Sequence, residues 1–185
     1  MIVKGVILAA IILLLSGIVL CDTTAPPCSY KTYSQNKKYF FIMLAPKDKL
    51  EVECLGYTKE KQILAKKLRQ KFRASGLYTS SEERALWEVD WFSYQVLVSN
   101  DGKHVIRIGA GTIDLDGEAI TLIENGAVKK TYKLSDLIRS AETLKNSTSH
   151  IQWLKDIGVD DTTNTFSVET FEDTKFIFSL ELEML

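Results

Sequence analysis

The chain has 185 residues, 45% of them hydrophobic and 25% charged, with 23 basic against 24 acidic side chains. A net charge of −1 gives no electrostatic footprint for nucleic acid. Three cysteines and two histidines, without Cys-x-x-Cys spacing, supply no zinc-type ligand set, and no motif in the chain implies a cofactor.

Lys4 is followed by Gly5–Leu20, sixteen residues without a charge. A basic residue ahead of a short apolar run is the layout of a secretory signal, and the run falls short of the roughly 20 residues of a spanning helix. Three exits from it are open. Val19 and Cys21 fit the small-residue positions of a cleavage site before Asp22. Cys21 also resembles the lipid-accepting cysteine of bacterial lipoproteins, although Leu20 stands where Gly, Ala or Ser is usual. The third exit is an uncleaved anchor. Residues 1–21 are therefore read as a signal peptide or membrane anchor and 22–27 as a polar, proline-containing linker. Residues 28–185 are read as one mainly-β domain outside the cytoplasm, whether secreted, periplasmic or anchored. Loss of Lys4 leaves 22 basic residues against 24 acidic ones.

Beyond the leader, Cys28 and Cys54 allow one intramolecular pairing, and an oxidising compartment permits it. Two buried thiols are the alternative. Lys38–Pro46, "KYFFIMLAP", reads as a buried strand stopped by proline. Lys49–Tyr57, "KLEVECLGY", alternates and reads as a half-buried strand with Cys54 inward. A longer helix is expected over about 58–74, capped by Thr58, with Gly76 beyond its end and Leu64, Leu68 and Phe72 as its apolar stripe. Seven of the fifteen residues from Lys59 to Arg73 are basic. Such a helix can rest on anionic lipid or dock on a sheet with its lysines solvated, and the narrow stripe favours the sheet.

From Ala85 the chain reads as strands. A hairpin is expected over Trp91–Gly109 with its tip at Asn100-Asp101-Gly102, since Asn and Gly accept the positive φ of tight turns. Its alternation puts Tyr94, Val96 and Val98 on one face. A second hairpin spans Glu118–Leu134 around Asn125-Gly126, and a third spans Thr165–Leu182 around Glu172-Asp173. A short helix is expected over about 135–144, capped by Ser135. Ser34, Asn36 and Lys38 match Ser99, Asp101 and Lys103, each set leading into an apolar strand. This cadence resembles a β-propeller blade, but so short a chain carries too few repeats to close a propeller. The expected fold is blade-like antiparallel sheets packed face to face.

The segments W-x-V-D-W, S-x-D-G-K and S-H-x-x-W are similar to those of a group of uncharacterised exported bacterial proteins. Trp87, Val89, Asp90, Trp91, Ser99, Asp101, Gly102, Lys103, Ser149, His150 and Trp153 carry the resemblance, over roughly the C-terminal 100 residues. It implies export and an all-β fold, and it transfers no activity.

Two constellations are candidates for function. Trp87, Trp91, Tyr94 and Trp153 could bind a sugar or peptide, although a core role is the commoner fate of such rings. Asp90 and His150 could pair as an oriented general base, or join two sheets by a buried hydrogen bond. Ser149 has no nucleophile elbow around it. Gly109–Glu118 is neither a phosphate loop nor an EF-hand loop. Asn146-Ser147-Thr148 is a glycosylation sequon if the source adds glycans. The leading reading is a non-catalytic extracytoplasmic module that binds a protein or cell-envelope component, with the membrane reached through an uncleaved or lipidated N-terminus. A small exported hydrolase using Asp90 and His150 is the alternative.

Overall fold

The computed structural model describes residues 25–82, 84–109, 114–140, 144 and 151–180. Eleven strands among them form three antiparallel sheets, none closed into a barrel. The first sheet contains β1 (Tyr30–Tyr33), β2 (Tyr39–Met43), β3 (Ser75–Thr79) and β4 (Ala85–Val89), hydrogen-bonded in that order. The second contains β5 (Gln95–Val98), β6 (His104–Ile108), β7 (Glu118–Glu124) and β8 (Ala127–Lys133), also in chain order. The third contains β9 (Leu154–Asp160), β10 (Thr165–Thr170) and β11 (Lys175–Ser179).

β2 explains why the sheets stack. Phe40 and Ile42 face one side, Phe41 and Met43 the other, and all four are buried. A strand apolar on both faces must be covered on both. On one face, Phe40, Ile42 and Tyr78 meet Leu68 and Phe72 of α1 (Lys59–Lys71), the one long helix among the described residues. On the other, Phe41, Met43 and Leu77 meet Val96, Val98, Val105 and Ile123 of the second sheet. The second sheet's far face presents Ile106, Ile108, Ile120 and Leu122 to Phe166, Val168 and Phe178 of the third. The order of layers is therefore helix, sheet, sheet, sheet. The mainly-β, face-to-face architecture expected from the hairpin cadence is what the chain adopts.

The hairpins form where the turn chemistry places them. Val98 pairs with Val105 across the Asn100–Gly102 tip, and Val96 and Val98 share the face toward the first sheet while Leu97 faces the third. Asn125 and Gly126 both take positive φ, 50° and 82°, as a two-residue hairpin turn requires. Phe178 pairs with Phe166 across the third hairpin.

Four expectations need correction. Lys49–Tyr57 is not a strand: Lys47–Val52 is a 3-10 turn, with Leu50 and Val52 exposed. β2 already has β1 on one side and β3 on the other, so this segment cannot pair with the strand it follows. It swings out to deliver the chain to α1. The helix keeps its Thr58 cap, which accepts from the Lys61 N–H, but ends at Lys71 instead of about 74. The residues after it are required as β3, where Gly76 lets the backbone approach Trp87 so closely that a Cβ would collide with the Trp87 carbonyl oxygen. The helix docks through Ala65, Leu68 and Phe72, while Leu64 is 44% exposed. At 100° per residue, the i, i+3, i+7 set lies more squarely over the sheet than a run at four-residue spacing.

Of the short helix expected over 135–144, the described residues show a 3-10 turn at Leu134–Asp136, and residues 141–143 lie outside them. Asp136, not Ser135, caps it by accepting from the Lys133 N–H. Beyond it the N–H groups of Arg139 and Ser140 donate to the Glu172 carboxylate and leave the helical path. β9 carries no clear sequence signal, since "LKDIGVD" is only partly buried.

Candidate functional site

The first strand pairs of the three sheets bring their tips together. In the β1–β2 tip, the Ser34 hydroxyl donates to Asn36 Oδ1 at 2.8 Å, which also accepts from the Lys38 N–H at 2.9 Å. In the β5–β6 tip, the Ser99 hydroxyl donates to Asp101 Oδ1, which accepts from the Lys103 N–H at 2.8 Å. The two locks are the same device, one with an amide and one with a carboxylate. The tips then bind each other. The Asn36 N–H donates to Asn100 Oδ1 at 2.6 Å, and the Asn100 N–H donates to Asp161 Oδ1 in the β9–β10 tip at 2.6 Å.

Asp101 also holds His104, with Oδ2 at 2.6 Å from Nδ1. Ser99, Asp101 and His104 thus meet, and their order decides what they can do. In a nucleophilic triad the histidine stands between serine and carboxylate, so that it can take the hydroxyl proton. Here the carboxylate stands between them. Ser99 donates to Asp101 and to the His104 carbonyl at 3.1 Å, and it is 2% exposed. Its proton faces a carboxylate instead of an imidazole, and its oxygen is buried away from solvent. Burial works to raise the Asp101 pKa, but hydrogen bonds from Ser99, the Lys103 N–H and His104 outweigh it and hold the carboxyl at about 2. The cluster is wired to fix a turn.

The aromatic candidates are spent largely on packing. Trp87 meets Phe41 edge-on at 5.7 Å and lies against Gly126. Trp91 stacks on Phe41 at 5.8 Å, and the Arg107 guanidinium lies 4.8 Å over its ring. Trp153 is 4% exposed, in the core between the second and third sheets. Asp90 is exposed beyond the end of β4, and with Trp91 it lines two open clefts of about 610 and 490 Å³. His150 and Ser149, like Cys21 and the sequon Asn146–Thr148, lie outside the described residues, so the structure gives no Asp90–His150 distance. Among the described residues no group of three or more His, Cys, Asp or Glu is placed to hold a metal.

A different site emerges near the start of the fold. Cys28 and Cys54 are joined in a disulfide with Cα atoms 4.4 Å apart. Cys54 takes a positive φ of 57°, and its N–H donates to the Pro27 carbonyl at 2.9 Å. This staple brings β1, the turn before α1 and α1 itself around a cleft of about 350 Å³, lined chiefly by Tyr30, Lys31, Tyr57, Lys61, Leu64 and Tyr94. Among the described residues no carboxylate lines it. The Tyr30 hydroxyl donates to the Ser93 carbonyl at 2.9 Å, and the Tyr94 hydroxyl donates to the Ala25 carbonyl at 2.6 Å. Burial pushes the Tyr30 phenol well above its ordinary value and raises Tyr94, with Tyr57 adding to the latter. Both phenols therefore stay neutral and act as fixed donors. The Lys61 ammonium lies 5.0 Å over the Tyr57 ring. Aromatic walls beside the Lys61 ammonium suit an anionic or aromatic group, while the Lys31 ammonium lies 3.5 Å over the Phe40 ring.

Of the sequence candidates, Tyr94 alone belongs to this cleft. Tyr30 and Lys31 come from one stretch and Tyr57 and Lys61 from another, and no local pattern announces their meeting. The disulfide pairing was the available signal, because it fixes which segments are neighbours. No family model matches the chain, and no curated protein matches it.

Proposed function

We propose that the chain is a non-catalytic, extracytoplasmic β module that binds a protein or cell-envelope component through the tyrosine–lysine cleft. The observation that carries this reading is the Cys28–Cys54 bridge, closed directly behind an uncharged N-terminal run. A structural disulfide persists in oxidising compartments and is rare where thiols are kept reduced. The same bridge shapes the cleft, so compartment and binding surface depend on one bond. A binding role is further supported by the Ser99–Asp101–His104 wiring, which leaves no activated nucleophile. Among the described residues no helix is long and apolar enough to cross a membrane. Attachment would therefore fall to residues 1–21, by an uncleaved run or through Cys21.

The test is to express the full chain, trap free thiols before lysis, and separate cytosol from membrane and exported fractions. The expected result is export with Cys28 and Cys54 resistant to alkylation until reduction. A chain confined to the cytosol with both thiols alkylated would overturn the reading.

A further inference from the structure

We propose that the outward side of α1, together with the turn from Leu50 to Leu55, is a docking face for an anionic phospholipid bilayer. The proposal deepens the extracytoplasmic reading above and rests on it. Three independent features meet on this face.

The first is exposed apolar surface. Among the described residues eleven large hydrophobic side chains are exposed, and five of them, Leu50, Val52, Leu55, Ile63 and Leu64, fall within one stretch of fifteen residues. Ile63 is 54% exposed and Leu55 62%. The turn is held along the helix because the Glu53 carboxylate pairs with Arg69 at 3.0 Å and the Gln62 amide donates to the Tyr57 carbonyl at 2.9 Å, while Leu64 lines the cleft. Turn and helix are thereby held side by side. With Ala65, Leu68 and Phe72 committed to the sheet, Ile63 projects to the opposite side with Lys59, Lys66 and Lys67.

The second is charge. Residues 47–73 contain nine basic and four acidic side chains, leaving 14 against 20 in the rest of the chain. The basic excess lies on α1, around the exposed Ile63, whereas the turn carries Glu51 and Glu53. Lysines around partly inserted apolar side chains are the composition of an interfacial helix on anionic lipid.

The third is position. Ala25, the first described residue, is held by the Tyr94 hydroxyl, and Tyr94 lines the same cleft as Leu64. Four residues lie between Leu20, the end of the uncharged run, and Ala25, and the five backbone steps reach at most about 18 Å when fully extended. If that run enters a bilayer, this side of the domain cannot be far from the headgroups. Tethering makes the second contact intramolecular, so a weak face suffices.

The full chain is placed in nanodiscs of phosphatidylcholine alone or with phosphatidylglycerol, and lysine acetylation rates are read by mass spectrometry. Lys59, Lys66 and Lys67 are expected to label at least about 5-fold more slowly in the anionic discs, the factor corresponding to roughly one lysine's attraction to such a surface. High salt should restore them. Lys130 on β8 and Lys175 on β11 should not change. The Ile63→Ser, Lys67→Glu variant alters only exposed side chains, so it should melt like the parent and lose protection at Lys59 and Lys66. Equal rates in both discs, an equal fall at Lys130 and Lys175, or protection that survives the variant would overturn the proposal. A cytosolic location would remove the extracytoplasmic reading without moving these rates; flat rates in an exported chain would remove the docking face alone.

Discussion

Gly102 tests whether the β5–β6 tip is architecture. Its φ is +71°, where an L side chain is strained, and an added methyl would sit inside the van der Waals envelope of the Tyr39 ring. The conformational part of Gly102→Ala is about 1 kcal/mol. Forcing a methyl into a filled contact adds about 1–3 kcal/mol. The expected loss is therefore about 2–4 kcal/mol, measured by urea unfolding with linear extrapolation. Gly56 separates the two parts, because its φ is +81° and a Cβ there meets nothing within 4 Å. Gly56→Ala should cost only about 1 kcal/mol. Tyr39→Leu removes the obstructing ring, so combining it with Gly102→Ala should cost less than the two single changes together. If Gly102→Ala costs no more than Gly56→Ala, or is additive with Tyr39→Leu, the tip is not packed against the first sheet as described.

Asp101→Asn should keep the turn, since Asn36 does the same task in the first hairpin, but it removes the carboxylate's charge-assisted bonds. The folded-state value of about 2 lies below the ordinary 3.8. The carboxylate's contribution is thus complete above about pH 4 and lost as pH falls through about 2. The stability gap between parent and variant should be flat above pH 4 and close on acidification, and a gap undiminished near pH 2 would contradict the hydrogen bonding assigned to Asp101. Replacing Cys28 and Cys54 by Ser opens a ring with a sequence separation of 26. Loop-closure entropy sets the expected loss at about 3.5 kcal/mol, read by the same unfolding assay. A loss below about 1 kcal/mol would mean that the staple does not restrain the unfolded chain.

Local chemistry made the hairpins legible. Asn-Asp-Gly and Asn-Gly carry their backbone requirement in the residue itself, and the turns sit where those residues stand. The disulfide was legible because two cysteines leave one pairing. Lys49–Tyr57 misled because alternation says which side chains would share a face, not whether the chain pairs there; β2 takes β3 as its second neighbour, after α1. Leu64 misled similarly: the helix was legible from its cap and period, but the choice of Ala65 over Leu64 belongs to the sheet beneath. Trp87 and Trp91 do converge on Phe41, although Trp91 lies beyond the end of β4 and arrives there through the loop. The cleft was illegible because its walls come from segments joined only in space.

The same logic explains why blade-like sheets stop at three. Closing a propeller requires that the first and last blades each present an apolar face to the other. The first sheet's free face is apolar, but α1 occupies it through Leu68 and Phe72. The third sheet's free face follows from its register: Asp160, Thr165 and Ser179 lie in one row, Gly158, Ser167 and Ile177 in the next, Asp156, Glu169 and Lys175 in the third. Only Ile177 is a large apolar residue there. Lys155 is engaged nearby, bonding Glu169 and Asp173, each at 2.7 Å. Burying those rows against a further sheet would strand their polar groups, at about 1–3 kcal/mol for each one left unsatisfied. The helix inserted between β2 and β3 therefore has two consequences from one placement. It ends the stack by covering the β2 face that the second sheet leaves free, and it sets a lysine-rich surface, with Ile63 exposed, outermost on that side.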